Sequence, residues 1–389
     1  MFFNLLFHQK PNKTQNKSWR LDFEIYDKNF HIWGGYYDRS IINKNNSLIA
    51  YIKVPKKCDR NSLAFIEIQN IESKKIVYKD TTKAWNWQQG CMLQWVGNKV
   101  TEIAYNIFDE STNTYKTKKI DLKDGYIHYF DKPVYAIHQI KNCFLSLSFE
   151  RLNRYAFDYG YNAHKEQLQN DDKTDGVWEV DMNLNTAKLL FSIHDVVTFQ
   201  VKDTFLKAKH YVNHIDYSPD GRNIIFIHRY CYYSQHISRL LIYDLDIQTF
   251  HLLLDFEFVS HFCWLSKDTL LIYAANQEKK LGYFSINIYT GYCSRIYKFM
   301  PSKDGHPSIS YNRMIVTDTY PDKNRIQHLY VGCLDTNSIE QIGEFYSPFK
   351  YIEGNRCDLH PKWSYDGLQI CIDNTARKVR CISVLKKEE

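Results

Sequence analysis

Short apolar runs, broken by polar turn residues, recur along almost the whole chain. In the second half they fall into ordered pairs: "IIFIH" is followed by "SRLLIYDLD", and "MIVTD" by "QHLYVGCLD". The runs "LLIYA" and "QICID" hold the first place in two further units. Runs of this length, rich in β-branched and aromatic residues and bounded by turn residues, predict strands. Asp220-Gly221 and Asp366-Gly367 stand where a tight turn with positive φ is needed. Helical periodicity is almost missing.

The paired runs belong to a longer repeat. Four segments share a His, two residues, a bulky apolar residue, and then Ser at or beside the next position: "NHIDYSPDG", "SHFCWLSKD", "GHPSISYN" and "LHPKWSYDG". The histidines are His214, His261, His306 and His360, at steps of 47, 45 and 54 residues, and three residues after them stand Tyr217, Trp264, Ile309 and Trp363. Regular short strands with a period near 40–50 residues predict a β-propeller with one four-stranded blade per repeat.

Weaker copies fill the earlier chain: "SLIAYIKVPKKCDRNSLAFIEIQNIESKKIVY", then "GCMLQWVGNKVTEIAYNIFD", then a unit from "KPVYAIHQIKNCFLSLSF" to "DGVWEVDMNLNTAKLLF". The expectation is an all-β, seven-bladed propeller occupying residues 1–389 as one domain. The last blade runs out at "CISVLKK" one strand short, and the N-terminal "WRLDFEIYD" is a strand without a blade. The N-terminus is therefore expected to supply the missing outer strand and close the ring, which removes an exposed edge. Residues 148–176 break the repeat with a long, polar, Tyr- and Arg-rich insertion, and long loops in compact domains are usually functional or disordered. Its second half, "QLQNDDKTDG", reads as a solvated turn; its first half is too aromatic for one.

Composition narrows the function classes. The chain has 389 residues, 44% of them hydrophobic, enough to bury a large core. The 30 tyrosines suit sheet positions; tyrosines also line sugar clefts, stacking on pyranose C–H faces. The net charge of +6 comes from scattered residues, with no clustered stripe of the kind nucleic-acid binding uses. No apolar run reaches the ~20 residues of a membrane helix. The N-terminal "MFFNLLFHQKPNK" lacks a basic n-region and a cleavage site and reads as native chain, so a cytoplasmic location is expected. Ten cysteines without a C-x-x-C pair read as buried thiols of a reducing compartment. A nucleophile elbow, a phosphate-cradling glycine loop and a dinucleotide fingerprint are all missing.

The four histidines occupy one place in four successive repeats, so the fold brings them together at the channel mouth. Two readings stand side by side: each His caps a neighbouring loop, or the ring faces a ligand on the axis. Converging imidazoles from His261, His306 and His360 suit a divalent transition metal. The same loops supply Arg356 and Asp358 before His360, and Asp304 before His306. Asp318 and Tyr320 are expected at or just beyond the end of the inner strand of blade 6, and His228 and Arg229 end the equivalent run in blade 4. Arg151, Asn153, Arg154, Tyr159 and Tyr161 come from the insertion. This supply of His, Arg and Tyr suits abstraction of a C–H proton beside a carboxylate, where a cation neutralises developing charge and a base takes the proton.

"YSPDG" and "HPKWSYDG" resemble the TolB-like propeller repeat. The ordered set "QQGCMLQW", "VNHIDYSPDG…FIHR", "VSHFCW", "DGHPSIS…VTDTYPD" and "RCDLHPKWS", over roughly residues 85–375, resembles the oligogalacturonate-lyase-like propellers. The single repeats are weakly specific, whereas the set in order is far more so. The resemblance implies a seven-bladed enzyme acting on uronate-containing glycans, with a manganese ion on the axis held by histidines and a glutamine. His306 and His360 match the metal side by motif, and Gln89 in "QQGCMLQW" joins the substrate-binding candidates. The chain departs from the pattern in two places: Lys362 stands two residues beyond His360 where the family has a second histidine, and Cys357 and Asp358 stand where it has a glutamine. Metal-independent propeller lyases similar to ulvan lyases use His and Tyr as base and acid with Arg on the carboxylate, roles open here to His214, His228, Arg229 and a tyrosine. The expected function is thus a lyase β-eliminating at a uronic acid of an acidic glycan. A uronate epimerase and a non-catalytic glycan- or protein-binding propeller stand as alternatives.

Overall fold

The computed structural model describes residues 13–14, 18–163, 172–233, 235–296 and 300–388. The start of "MFFNLLFHQKPNK" and residues 167–171 of "QLQNDDKTDG" lie outside the described residues. Seven antiparallel sheets make a seven-bladed propeller. Blade 1 runs through strands Phe30–Trp33, Leu48–Pro55, Ala64–Asn70 and Ile76–Thr82. Blade 2 spans residues 94–130, blade 3 residues 136–192, blade 4 residues 209–254, and blade 5 residues 259–296.

Ring closure is as the sequence predicts. Strand Trp19–Ile25 pairs with Cys381–Lys387, Trp19 opposite Lys387 and Ile25 opposite Ile382, and completes blade 7 outside Lys362–Trp363 and Gln369–Asn374. One feature is new: Lys13–Thr14 pairs with Ser338–Tyr346 and gives blade 6 a fifth strand. The N-terminal chain thereby covers the outer edges of two adjacent blades.

The core lies between blades. Separate apolar clusters join neighbouring sheets, such as Ile225, Leu240, Phe262 and Ile272 between blades 4 and 5, and Ile25, Ile32, Ile49 and Ile382 at the closure of blades 7 and 1. Trp363 is buried against Trp19, with ring centroids 5.9 Å apart, and its Nε1 donates to the Ser308 carbonyl of blade 6 at 3.2 Å. The S-x-D-G turns work as expected: in blade 4 the Ser218 hydroxyl donates to Asp220 at 2.6 Å and accepts from the Asn223 N–H at 3.0 Å. Gly221 has φ +69°, and a Cβ there would lie 2.1 Å from His138 Nε2 of blade 3, so only glycine fits.

Two details were not expected. The first half of the insertion contains a helix, Phe149–Tyr155, capped by the Ser148 side chain. A second short helix, Ile193–Thr198, follows blade 3 with a Ser192–Asp195 capping box. Among the described residues no helix is long and apolar enough to cross a membrane. All ten cysteines are free, and five of them are buried.

Candidate functional site

The four repeat histidines converge on the axis and are almost fully buried, at 5%, 2%, 1% and 2% exposure for His214, His261, His306 and His360. The inner strands are bent to deliver them. In blade 4 the strand Lys209–Tyr217 loses register between Asn213 and Asp216, and His214 between them has φ 50°; His360 has φ 42°. A non-glycine residue in the left-handed region costs on the order of 1 kcal/mol and is tolerated where the surroundings enforce it, commonly at functional sites. Ring centroids lie 4.1 Å apart for His261–His306, 4.5 Å for His306–His360 and 5.7 Å for His214–His261. Tyr36, from the inner segment of blade 1, sits among them, 4.8 Å from His360, 5.5 Å from His214 and 5.9 Å from His306.

Asp318 organises two blades of this ring. It ends Met314–Asp318, the second strand of blade 6 and not the inner one, and antiparallel pairing returns that end to the start of the inner strand. Its carboxylate accepts from the His306 N–H at 2.7 Å, from His306 Nδ1 at 2.9 Å, and from the Leu359 and His360 N–H groups at 3.1 and 3.3 Å. Gly305 permits the approach, since a Cβ there would fall 1.9 Å from the Asp318 carbonyl oxygen. His261 is held differently, its Nδ1 3.3 Å from Asp304, which also accepts from Ser260 at 2.7 Å.

These partners separate the histidines electrically. Burial opposes a charged His306, but Asp318 beside it prevails and its pKa is raised; that of Asp318 is lowered, burial being overcome by His306. Among the described residues no carboxylate is hydrogen-bonded to His214 or His360, although Asp358 Oδ2 lies 3.9 Å from His360 Nε2. Burial, with Arg229 near His214 and His306 near His360, holds both far below the ordinary histidine value and hence neutral. The Nε2 atoms of His214, His306 and His360, and Asp358 Oδ1, are buried without a hydrogen-bond partner among the described residues. Buried polar atoms are rarely left so in a folded protein. Ligand atoms of His306, Asp358 and His360 lie within 4.8 Å of one another.

The insertion roofs this ring. Arg356 is bonded to Asp358 at 2.8 Å on one side and, on the other, to Asp158 of the insertion and the Tyr159 hydroxyl. The Tyr159 ring lies 5.6 Å from His214 and 6.1 Å from Tyr36. Arg60 of blade 1 clamps the same segment through Asn153 Oδ1 and the Phe157 and Gly160 carbonyls, at 2.8–3.0 Å. Asn86, between blades 1 and 2, donates to the Tyr159 carbonyl at 3.0 Å. Gly160 is obligatory, because a Cβ would meet the Asn153 backbone at 2.0 Å.

The structure therefore groups His214, His261, His306, His360, Asp304, Asp318, Asp358, Arg356, Tyr159 and Tyr320 around the axis; the Tyr320 ring is 5.6 Å from His306. Arg229 stands beside it, donating to Asn213 at 3.1 Å. Gln89 reaches the rim through Tyr135, whose hydroxyl accepts from Gln89 Nε2 and from the His214 N–H, both at 3.0 Å. His228 is placed elsewhere: it accepts from Arg239 at 2.9 Å and bonds His210 at 2.9 Å, in a fully buried chain inside blade 4. Arg151 pairs with Asp172 and Asp175 under the insertion, Asn153 serves the Arg60 clamp, and Tyr161 is core, stacked on Phe149 at 4.1 Å. Arg154 is exposed in the last helical turn.

Sequence reasoning missed Tyr36, Tyr135 and Asp158. The first two take the ring position in blades without a histidine. Their signal was spacing alone: Tyr36 precedes Arg39, and Tyr135 precedes His138, by the interval that separates His214 from Tyr217.

No protein-family model matches the chain, and no curated protein matches it. Solved structures do. An oligogalacturonate lyase in complex with manganese superposes with a TM-score of 0.67 at 11% identity, covering 93% of this chain and 92% of that one. An oligogalacturonate lyase from Vibrio parahaemolyticus gives 0.66 at 11%, covering 94% and 93%. A prolyl endopeptidase gives 0.53 at 10%, covering 93% of this chain but 51% of the other. Nearly the whole of this chain thus shares the seven-bladed fold of the oligogalacturonate lyase structures.

Proposed function

We propose that this propeller is a carbohydrate-active lyase that β-eliminates at a uronic acid of an acidic oligo- or polysaccharide, working on the histidine face of its axis. The observation that carries the reading is the convergence of His306, Asp358 and His360, with unpartnered buried atoms, beside the guanidinium of Arg356. Two imidazole nitrogens and a carboxylate oxygen fit a divalent metal of the manganese–iron–zinc group, and Asp318 on His306 Nδ1 is the outer partner such a ligand uses to fix its tautomer. A metal held there would neutralise the substrate carboxylate as a Lewis acid.

The protein's own groups divide the remaining work. Arg356 offers a planar donor fork to a carboxylate, and Asp158 and Asp358 share it. A uronate carboxylate would displace Asp158 from Arg356, lifting the roof as it binds. His214, neutral and with Nε2 free, takes the proton from the carbon next to the carboxylate. Tyr320 stays protonated because burial raises its pKa well above the ordinary phenol value, which suits it to donate to the leaving oxygen.

Incubation with a panel of uronate oligosaccharides and polysaccharides, with manganese and with chelator, tests the reading. An ultraviolet-absorbing 4,5-unsaturated product, lost in His214→Ala and Arg356→Ala, supports it. Solvent deuterium uptake without chain cleavage would point to the epimerase, and binding without either reaction to a glycan-binding propeller.

A further inference from the structure

The axial channel has a second mouth, on the face opposite the histidine ring. It is lined by residues two to five places beyond the ring position in the blades, around a cavity of about 440 Å³. A smaller cavity of about 180 Å³ shares Asp38, Asp216, Trp264 and Ser308 with it and extends to His214, whose Nε2 is unpartnered. The combined space falls in the range of small-molecule sites. The fold does not need it for packing, since the apolar clusters lie between blades.

Its chemistry differs from that of the histidine face. Arg39 lies between two carboxylates: it is ion-paired with Asp38 and feels the field of Asp216 across the channel. The Arg39 Nε is fixed by Gln94 at 3.0 Å, which orients the fork. Trp264, half-buried, forms part of the wall, and Tyr311, 75% exposed, stands at the rim with Tyr365. An Asp–Arg–Asp row presents alternating acceptors and donors, the pattern that adjacent hydroxyls of a pyranose satisfy, and an aromatic wall accepts its C–H face. Two carboxylates against one guanidinium repel an anionic sugar. We propose that this second mouth binds a neutral pyranose unit, with Asp216 and Arg39 holding its hydroxyls and Trp264 its ring.

The proposal does not rest on a reaction at the histidine face, although the smaller cavity reaches His214 of that ring. The test is a titration of the full chain with methyl glucoside, methyl galactoside, N-acetylglucosamine and cellobiose, followed by tryptophan fluorescence and by saturation-transfer NMR, with galacturonate and glucosamine as charged comparators. At least one neutral sugar is expected to bind, with affinity reduced about tenfold in Trp264→Ala, a change of ~1.4 kcal/mol. Asp216→Asn, nearly isosteric, should weaken it while unfolding at the same temperature as the parent. Binding of galacturonate at the same mouth as tightly as the neutral sugars would overturn the proposal. So would binding that requires the amine of glucosamine, or a failure of every neutral sugar to bind the folded parent.

Discussion

Replacing Asp318 by Asn removes one charge and almost no volume from the point where blades 6 and 7 meet the axis. The carboxylate is wholly buried and accepts from the His306 N–H and Nδ1 and from the N–H groups of Leu359 and His360. An amide has one accepting oxygen. If it stays with His306, its NH2 faces the Leu359 and His360 donors and both lose their acceptor. At ~1–3 kcal/mol per buried unsatisfied donor, lower for the two longer bonds, the loss is about 3 kcal/mol. That agrees with the ~3–5 kcal/mol expected when one member of a buried charge pair is removed. The assay is guanidinium unfolding of chelator-treated protein across pH, parent against variant. Asp318 has a lowered pKa, so its contribution exists above the unfolded carboxylate value and fades as pH falls through the folded one. His306 has a raised pKa, so its share is complete below the unfolded histidine value and fades as pH rises through the folded one. The difference between parent and variant should therefore be greatest between about pH 4 and 6.5, and smaller on either side. A difference below about 1 kcal/mol, or one that does not vary with pH, would refute the pairing.

Three further outcomes follow from the geometry. Trp19→Ala empties a buried site against Trp363 and Leu385 and should lower stability by ~3–5 kcal/mol in the same unfolding assay. Gly221→Ala drives a methyl into His138 at a positive φ and should cost ~1–3 kcal/mol, read as a fall in the unfolding midpoint. Asp158→Asn weakens the ion pair that holds the roof on Arg356; hydrogen exchange in residues 156–163 should rise, and the KM for a uronate substrate should fall, with the thermal midpoint nearly unchanged.

The propeller was legible because its signals are local and repeated. A His, a bulky apolar residue and a Ser at one interval, with an S-x-D-G turn in two of the repeats, recur strongly enough to number the last four blades, and the lone strand at residue 19 meets the blade that lacks one. The ring itself was legible for the same reason: equal position in successive blades means equal position on the axis. Roles that depend on long-range pairing were hidden. Arg356 contacts Asp158, 198 residues away, and Arg60 reaches Gly160 across 100 residues. His228 and Arg151 carry the right chemistry, yet alternation along a strand and the packing of one helix turn them away from the axis. Among the described residues the fifth strand on blade 6 involves two residue pairs, too few to mark the sequence.

Whether the histidine ring is a site or a set of caps is tested most directly by anomalous diffraction from crystals grown with manganese. One peak is expected on the axis, ligated by His306, His360 and Asp358, with Asp318 still bonded to His306. Diffraction from ordered crystals with no peak between these residues, and with their nitrogens turned to neighbouring loops, would contradict it.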